Sequence, residues 1–181
     1  MIITISGRPG SGKSVVAKEL AKKLKLTHFS TGDFMREMAK KKGKSLLEMS
    51  KQAQTDGGKI DKILDDRLTK LGKTQDDFVM DARLGFHFIP HSITVFLDVD
   101  PGIAAKRIFK EKRGGVEKAA SISLAAAQKE LHKRTEIERK RYKKYYGVDY
   151  LVKKNYDLVV DTNKLSIAQV VGKIKEFLKK K

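Results

Sequence analysis

Eight residues near the amino terminus have the types and spacing to bind a triphosphate: Gly7, Arg8, Pro9, Gly10, Ser11, Gly12, Lys13 and Ser14. They match the pattern G-x-x-x-x-G-K-[ST] at every fixed position. Glycines allow the backbone to turn its N–H groups inward and form a concave anion site. Lys13 can bridge the β- and γ-phosphates of ATP, and the hydroxyl of Ser14 can ligate Mg²⁺. We therefore predict that these residues, called the phosphate loop below, bind ATP and Mg²⁺ together with the adjacent Val15.

The phosphate loop lies between a predicted strand and a predicted helix, as such a site requires. Residues 2–6 are mostly apolar and β-branched, which predicts a buried strand. Residues 13–24 carry apolar side chains at helical spacing. This context argues against a chance glycine-rich turn. The positive end of the helix dipole would add to the attraction for phosphate.

Strands and helices alternate along the rest of the chain. Further strands are predicted at 27–30, 78–80, 93–97 and 158–160, and further helices at 46–53, 60–71, 103–112, 124–146 and 167–178. Another helix follows residue 30, with Thr31 or Asp33 placed to cap it. Strands separated by helices pair in parallel with right-handed crossovers. We expect one α/β domain in three layers, a five-stranded parallel sheet flanked by helices.

Two helical insertions interrupt this alternation, at 33–75 and at 111–146. The remaining segments, 1–32, 76–110 and 147–181, would form the core. Both insertions follow the carboxyl ends of strands, where ligands bind in parallel sheets. Gly114 and Gly115 are candidate hinges for the second insertion.

Four segments of the chain resemble the nucleoside-monophosphate kinases, and in particular the archaeal type of cytidylate kinase. They are residues 30–36 (STGDFMR), 80–85 (MDARLG), 134–149 and 156–170. The resemblance covers essentially the whole chain and implies the three-layer fold of the P-loop NTPases. It also implies that insertion 33–75 binds the acceptor and that a lid within 111–146 closes over ATP. The activity implied is transfer of the γ-phosphoryl group of ATP to CMP or dCMP.

The resemblance assigns roles to individual residues. The catalytic cations would be Lys13, Arg83, Arg134 and Arg141. The acceptor would be bound by Thr31, Asp33, Arg36, Arg67, Arg83, Arg134, Glu138 and Arg141. Mg²⁺ would be held by Ser14 and, through water, by Asp81, while Arg107 and Arg113 would lie near the phosphates or the adenine of ATP.

The chemistry of these residue types agrees with such roles. Arg134, Glu138 and Arg141 are spaced i, i+4 and i+7, so they share one helix face. A guanidinium group offers a planar fork of donors that suits a phosphate. Asp81 ends a buried strand, where a carboxylate is costly unless it meets a cation or hydrogen-bond donors.

The sequence departs from the bacterial cytidylate kinases directly after the third strand. In those enzymes a glycine precedes the arginine that matches Arg83, and an aspartate that helps to read cytosine follows it. Here Ala82 and Leu84 occupy the two positions. The same chemistry with another acceptor, such as AMP, UMP, a broad range of pyrimidines or shikimate, therefore remains an alternative.

The net charge of +18, from 40 Lys and Arg against 22 Asp and Glu, suggests a second class of function. A basic protein with an ATP site could bind RNA as a processing or assembly factor. The lysines are scattered over predicted amphipathic helices, which is typical of solvated faces, and the arginines at 36, 83, 134 and 141 would have no purpose there. A degenerate homologue without activity is a third alternative, against which the intact Lys13, Ser14 and Asp81 argue.

Other features narrow the location and the partners. The chain has 181 residues, no cysteine and no apolar run near the ~20 residues that a membrane span needs. No signal peptide is visible at the amino terminus. The four histidines are not spaced as a metal site or a catalytic triad. We expect a cytoplasmic monomer that binds small nucleotides and has no membrane partner, with nucleic acid as a partner only under the RNA-binding alternative.

Overall fold

The computed structural model describes residues 1–44, 46–110 and 123–181. Its strands are β1 (Ile2–Gly7), β2 (Thr27–Ser30), β3 (Phe78–Asp81), β4 (Ile93–Asp98) and β5 (Leu158–Asp161). Its helices are α1 (Lys13–Leu24), α2 (Thr31–Lys41), α3 (Leu46–Thr55), α4 (Lys59–Thr74), α5 (Gly85–Phe88), α6 (Pro101–Lys110), α7 (Leu124–Tyr146) and α8 (Ile167–Leu178), with one turn of 3₁₀-helix at Lys153–Asn155.

The five strands form one parallel sheet in the order β2-β3-β1-β4-β5. The central strand β1 is buried along its whole length, because helices cover both faces of the sheet. The carboxyl ends of β1 and β3 lie side by side, with Ile5 opposite Asp81. The phosphate loop and the residues after β3 therefore meet at one edge of the sheet.

Two apolar clusters hold the layers together. On one face, Ile3 and Ile5 of β1 pack with Leu20 of α1 and Ile174 of α8. On the other face, the cluster joins Met80 of β3 to helices α2, α3 and α4 through the buried side chains Phe34, Met49, Leu64 and Leu68. The helices of insertion 33–75 thus share a core with the sheet, which fixes α4 beside the edge where ligands would bind.

The fold class, the five strands and their parallel pairing are confirmed. Three local expectations need correction. Ser30, and not Thr31 or Asp33, caps α2, because its hydroxyl accepts a hydrogen bond from the Gly32 N–H at 3.1 Å. Helix α6 begins at Pro101 rather than at 103, and the short helix α5 was not predicted. Arg113 and the candidate hinges Gly114 and Gly115 lie outside the described residues.

No helix in the parts of the chain that the structure describes is both long and apolar enough to cross a membrane.

Candidate active site

The backbone of the phosphate loop is held against the neighbouring strand and helix. The Arg8 N–H donates to the Leu97 carbonyl at 3.3 Å. A Cβ on Gly7 would lie 2.3 Å from the Leu97 oxygen, and one on Gly10 would lie 2.9 Å from Cβ of Ala104. Gly10 also has a φ of +78°, which disfavours any other residue. Gly7 and Gly10 are therefore required, because the backbone of other segments lies too close to leave room for a side chain.

Helix α1 begins at the end of the phosphate loop, so its amino terminus lies at the site. Gly12 precedes the helix with φ at +86° and provides no side-chain cap for the first N–H groups. Uncapped N–H groups at a helix amino terminus, aided by the helix dipole, are a ready site for phosphate. The hydroxyl of Ser11 is buried and has no hydrogen-bond partner among the described residues. Each of these donors could bind a phosphate oxygen.

Lys13 is partly buried at the start of α1. Its burial, followed by the nearby charge of Arg83, lowers the pKa of the Lys13 amine to about 8. The carboxylates of Asp81 and Glu138 act in the opposite direction. An anionic ligand would restore the full charge of Lys13, so the site is electrostatically prepared for phosphate.

Ser14 and Asp81 form the pair of oxygens that a magnesium ion would need. The Ser14 hydroxyl donates to Oδ2 of Asp81 at 2.6 Å. Ser14 lies in the first turn of α1 and Asp81 ends β3, and the pairing of β1 with β3 brings them together. A hydroxyl and a carboxylate are hard oxygen ligands, which fit Mg²⁺ bound mainly by substrate phosphates and water. The residues present therefore fit the ion that the sequence predicts.

The amino-terminal turn of α2 lies over the same edge. Thr31 donates from its hydroxyl to the Asp81 carbonyl at 3.4 Å. Arg36 forms an ion pair with Asp33 one turn earlier, and both side chains are about half exposed. Thr31 therefore lies at the site, whereas Arg36 and Asp33 lie at its exposed margin and satisfy each other.

Arg67 of α4 lies across from α2. Its Nη1 is 2.6 Å from Oε2 of Glu37, and its guanidinium carbon lies 4.0 Å from the ring centroid of Phe34. Stacking of a guanidinium on an aromatic ring is a favourable cation–π contact. Arg67 thus connects α2 and α4 within the insertion, and its predicted contact with the acceptor stays a prediction.

The buried carboxylate of Glu138 lies between two arginines of the site. Its Oε2 lies 2.8 Å from Nε of Arg83, and its Oε1 accepts from Nε of Arg134 at 3.2 Å. The Tyr150 hydroxyl donates to the same carboxylate at 3.4 Å. Burial alone would favour the neutral acid, but the two arginines outweigh it and lower the pKa of Glu138. The structure thus brings Arg83, which follows β3, together with the predicted arginine–carboxylate face of α7.

Arg141, the third predicted member of that face, has a partner that the sequence analysis missed. Its Nε lies 3.2 Å from Oδ2 of Asp61 in α4, and its guanidinium lies over the ring of Tyr142. One helical turn along, Asp65 accepts a hydrogen bond from the Tyr146 hydroxyl. Burial raises the pKa of Asp61 and raises that of Asp65 to about 6. Two acids of α4 therefore face α7.

A sequence signal for these acids existed. Asp61 and Asp65 are spaced i and i+4 and fall beside the apolar residues Ile60, Leu64 and Leu68, which form the buried stripe of α4. A carboxylate on a buried stripe needs a partner. Their partners on α7 are about 80 residues away in sequence, so the pairing itself could not be predicted.

Arg107 of α6 is tied to the turn after β5. Its guanidinium donates to the Thr162 hydroxyl at 3.1 Å and to the Thr162 carbonyl at 2.6 Å. Arg8 of the phosphate loop pairs with Asp98 at the end of β4, 3.1 Å away. Arg107 thus holds the turn after β5 and Arg8 pairs with the carboxylate at the end of β4, and the contact of either cation with ATP stays a prediction.

Leu84 is 5% exposed and packs with Phe96, Tyr150 and Tyr156, with Tyr142 and Tyr146 at the edge of this cluster. The position that departs from the bacterial pattern is therefore a core position here. The tyrosines of α7 and of the segment after it are mainly packing residues, except for the exposed Tyr145.

Comparisons with known proteins agree with this site. The family model described as "Cytidylate kinase-like family" matches residues 2–164. The cytidylate kinase of Sulfurisphaera tokodaii is 35% identical over 98% of this chain and 95% of its own length. That of Methanocella arvoryzae is 35% identical over 99% of both chains, and that of Halobacterium salinarum is 38% identical over 90% of this chain and 81% of its own.

Among solved structures, a shikimate kinase from Bacteroides thetaiotaomicron superposes with a TM-score of 0.72 over 99% of this chain and 98% of its own, at 16% identity. The shikimate kinase of Aquifex aeolicus gives a TM-score of 0.62 over 99% of this chain and 96% of its own, at 20% identity. At such identities the likeness shows the fold alone. Together with the full-length sequence similarity and the family match, it shows that this chain belongs to the cytidylate kinase-like family.

Proposed function

We propose that this protein is a cytidylate kinase, which transfers the γ-phosphoryl group of ATP to CMP or dCMP and yields ADP with CDP or dCDP. One observation carries the proposal. The phosphate loop, with its Ser14–Asp81 pair at 2.6 Å, lies at the same sheet edge as Arg83 and Arg134, two partly exposed arginines that share the buried carboxylate of Glu138. A donor site for ATP and an acceptor site for a second phosphate therefore adjoin. The archaeal relatives named cytidylate kinases support CMP as the acceptor.

Phosphoryl transfer requires alignment and charge neutralisation more than covalent help from the protein. The inward N–H groups of the phosphate loop and of α1 would orient the triphosphate. Lys13 would contact the β- and γ-phosphates, and Arg83 and Arg134 would bind the acceptor phosphate. An acceptor phosphate oxygen is already anionic, so the reaction needs no strong general base.

Ser14 and, through water, Asp81 would hold Mg²⁺, whose charge would neutralise the phosphate oxygens between which the group moves. Asp81 orients Ser14 by accepting a hydrogen bond from its hydroxyl. The donor side of the site can therefore form before the acceptor binds.

Binding of the acceptor requires an exchange of partners. Glu138 pairs with both Arg83 and Arg134. The Arg83 contact is ionic rather than a directed hydrogen bond, because Nε of Arg83 has no hydrogen-bond partner among the described residues. A phosphate could accept hydrogen bonds from the N–H groups of both arginines. Glu138 would then be free to accept a hydrogen bond from a ribose hydroxyl. This exchange explains why a carboxylate lies in a site for anions.

The test is an initial-rate assay of ADP production with ATP–Mg²⁺ and each of CMP, dCMP, UMP, AMP, GMP and shikimate, run beside Lys13→Ala. We expect strong turnover with CMP or dCMP and a loss of about 10²- to 10³-fold in the variant, as for removal of one group that stabilises transition-state charge. Melting temperature and far-UV circular dichroism of the variant would show that it remains folded.

Other outcomes lead to other functions. Turnover of AMP or shikimate that equals or exceeds turnover of CMP would contradict the proposed acceptor and leave the fold unchanged. A folded protein that binds ATP, shows no acceptor-stimulated turnover and binds structured RNA at physiological salt would instead support the RNA-linked alternative. The proposal includes a cytoplasmic monomer, and size-exclusion chromatography with light scattering would test the oligomeric state.

A further inference from the structure

Two acids on α4 have no role in the phosphoryl transfer described above. Asp61 is 8% exposed, and Asp65 follows it by one helical turn on the same face of α4. Their partners, Arg141 and Tyr146, lie on α7, the helix that also carries Glu138. The two acids therefore line the boundary between the acceptor-binding insertion and the arginine-bearing helix.

The carboxylate of Asp61 is only partly satisfied. Its Oδ2 lies 3.2 Å from Nε of Arg141, but neither atom has a directed hydrogen bond among the residues that the structure describes. A buried carboxylate without hydrogen-bond donors is costly, so the arrangement favours a ligand that brings a donor. Burial also raises the pKa of both acids, and Arg141 opposes this effect at Asp61.

The chemistry of pyrimidines matches this arrangement. Cytosine presents an exocyclic amino group, which donates, next to ring nitrogen and carbonyl acceptors, and a carboxylate is its usual side-chain partner. At the equivalent position uracil presents a carbonyl oxygen, which a carboxylate repels. A guanidinium beside the carboxylate, as Arg141 is here, can donate to the neighbouring acceptors of cytosine.

We propose that Asp61, supported by Asp65, accepts a hydrogen bond from the exocyclic amino group of the acceptor base and so selects cytosine over uracil. This inference rests on the proposed function and names the residues that set its base specificity. Leu84 is a buried apolar residue and can offer no such acceptor. The base is therefore read from α4 rather than from the segment that follows β3.

A purely structural role would have a different signature. The Arg141–Asp61 ion pair and the Tyr146–Asp65 hydrogen bond both connect α4 to α7. If they only held the helices together, their loss would lower turnover of every acceptor by the same factor. If Asp61 instead recognises the amino group, its loss changes the ratio of kcat/KM between acceptors that have the group and acceptors that lack it.

The experiment compares Asp61→Asn and Asp65→Asn with Asp66→Asn. Asp66 lies on the same helix and is exposed, so its variant has the same change in charge at a distance from the site. The readout is kcat/KM for CMP divided by kcat/KM for UMP. We expect this ratio to fall by about 10-fold or more in Asp61→Asn, since one base contact of this kind discriminates by ~1–3 kcal/mol. The fall should be smaller in Asp65→Asn, and Asp66→Asn should keep the wild-type ratio.

A second measurement removes the group from the substrate instead. The monophosphate of pyrimidin-2-one riboside lacks the amino group, and the wild-type protein should use it at least about 10-fold less well than CMP. In Asp61→Asn the difference between these two acceptors should shrink. If Asp61→Asn does not fold, Asp65→Asn with the same pair of acceptors decides the question.

An unchanged CMP-to-UMP ratio with equal losses on both acceptors would overturn the inference and leave the acids as a structural link. Equal use of CMP and the pyrimidin-2-one nucleotide by the wild-type protein would overturn it as well. A wild-type protein that turns over no pyrimidine nucleotide would instead contradict the proposed function, so the two failures can be told apart.

Discussion

The donor end and the acceptor end of the site are built in different ways. At the donor end, close backbone contacts of Gly7 and Gly10 shape the phosphate loop. At the acceptor end, side chains from distant segments hold one another by charge, as in the pairs Arg83–Glu138 and Arg141–Asp61. One end is fixed by close packing of backbone against backbone, and the other depends on ion pairs between side chains.

The difference has a physical consequence. A site made of backbone N–H groups needs no counterions while it is empty, because those groups carry only partial charges. A site made of guanidinium groups must neutralise them until the substrate arrives, since buried unpaired charges are costly. We therefore expect substitutions at the acceptor end to affect stability and acceptor binding together, and substitutions in the loop to affect mainly ATP.

The largest effect should follow from breaking the shared counterion. Glu138→Gln removes the carboxylate that Arg83 and Arg134 share and leaves two guanidinium groups facing each other. Removal of one partner from a buried ion pair destabilises a protein by about 3–5 kcal/mol. We expect a loss of that size in the free energy of unfolding by urea, with a fall in kcat/KM for CMP and little change in the affinity for ATP.

Glu136→Gln is the matched control, because Glu136 lies on the same helix and forms an exposed pair with Arg139 at 3.0 Å. Its free energy of unfolding should change by less than about 0.5 kcal/mol, as for most surface substitutions. Equal effects of the two variants would show that the acceptor end is not held by its buried charges.

A single methyl group tests the donor end. In Gly10→Ala the new Cβ would lie 2.9 Å from both Cβ and the carbonyl oxygen of Ala104, at a φ of +78°. The loop must shift, and a displacement of about 1 Å can cost ~100-fold in rate. We expect kcat/KM for ATP to fall by about that factor, while isothermal titration should show nearly unchanged affinity for CMP.

Gly12→Ala separates strain from collision. Gly12 has a similar φ of +86°, but a Cβ there would meet no atom within 4 Å. The fall in kcat/KM for ATP should be smaller in Gly12→Ala than in Gly10→Ala, because only the cost of the left-handed conformation, about 1–2 kcal/mol, applies. A larger loss in Gly12→Ala than in Gly10→Ala would contradict the assignment of close backbone contact as the cause.

This contrast also explains how far the sequence could be read. Periodicity and glycine spacing within short segments predicted the strands, the helices and the phosphate loop. Even the face shared by Arg134, Glu138 and Arg141 was predictable, because helical spacing alone defines it. Local errors arose where two groups compete for one role, as when Ser30 rather than Thr31 caps α2.

The partners of those residues were not predictable. Arg83 and Glu138 are 55 positions apart, and Asp61 and Arg141 are 80 apart, so only the folded chain brings them into contact. Periodicity marked Asp61 as a charge on an apolar stripe without indicating what would neutralise it. A single sequence holds no record of such pairs.

The smallest effect concerns the residue where the two ends meet. The pKa of Lys13 is about 8 in the ligand-free protein, because burial and Arg83 disfavour its charge. ATP phosphates favour the charged amine, so above pH 8 the binding of ATP must take up a proton. Between pH 7 and pH 9 the charged fraction of Lys13 falls about 10-fold, and the affinity for ATP should fall by the same factor.

Isothermal titration at pH 7, 8 and 9, in two buffers of different ionisation enthalpy, measures both the affinity and the proton uptake. Lys13→Arg stays charged over this range and should show no uptake from this group, which separates it from titration of ATP itself. Arg83→Gln should move the fall in affinity to higher pH, because it removes a charge that disfavours protonated Lys13. If Arg83→Gln left the pH profile unchanged, the donor and acceptor ends would be electrostatically independent, and the charge of the acceptor arginines would not prepare Lys13 for phosphate.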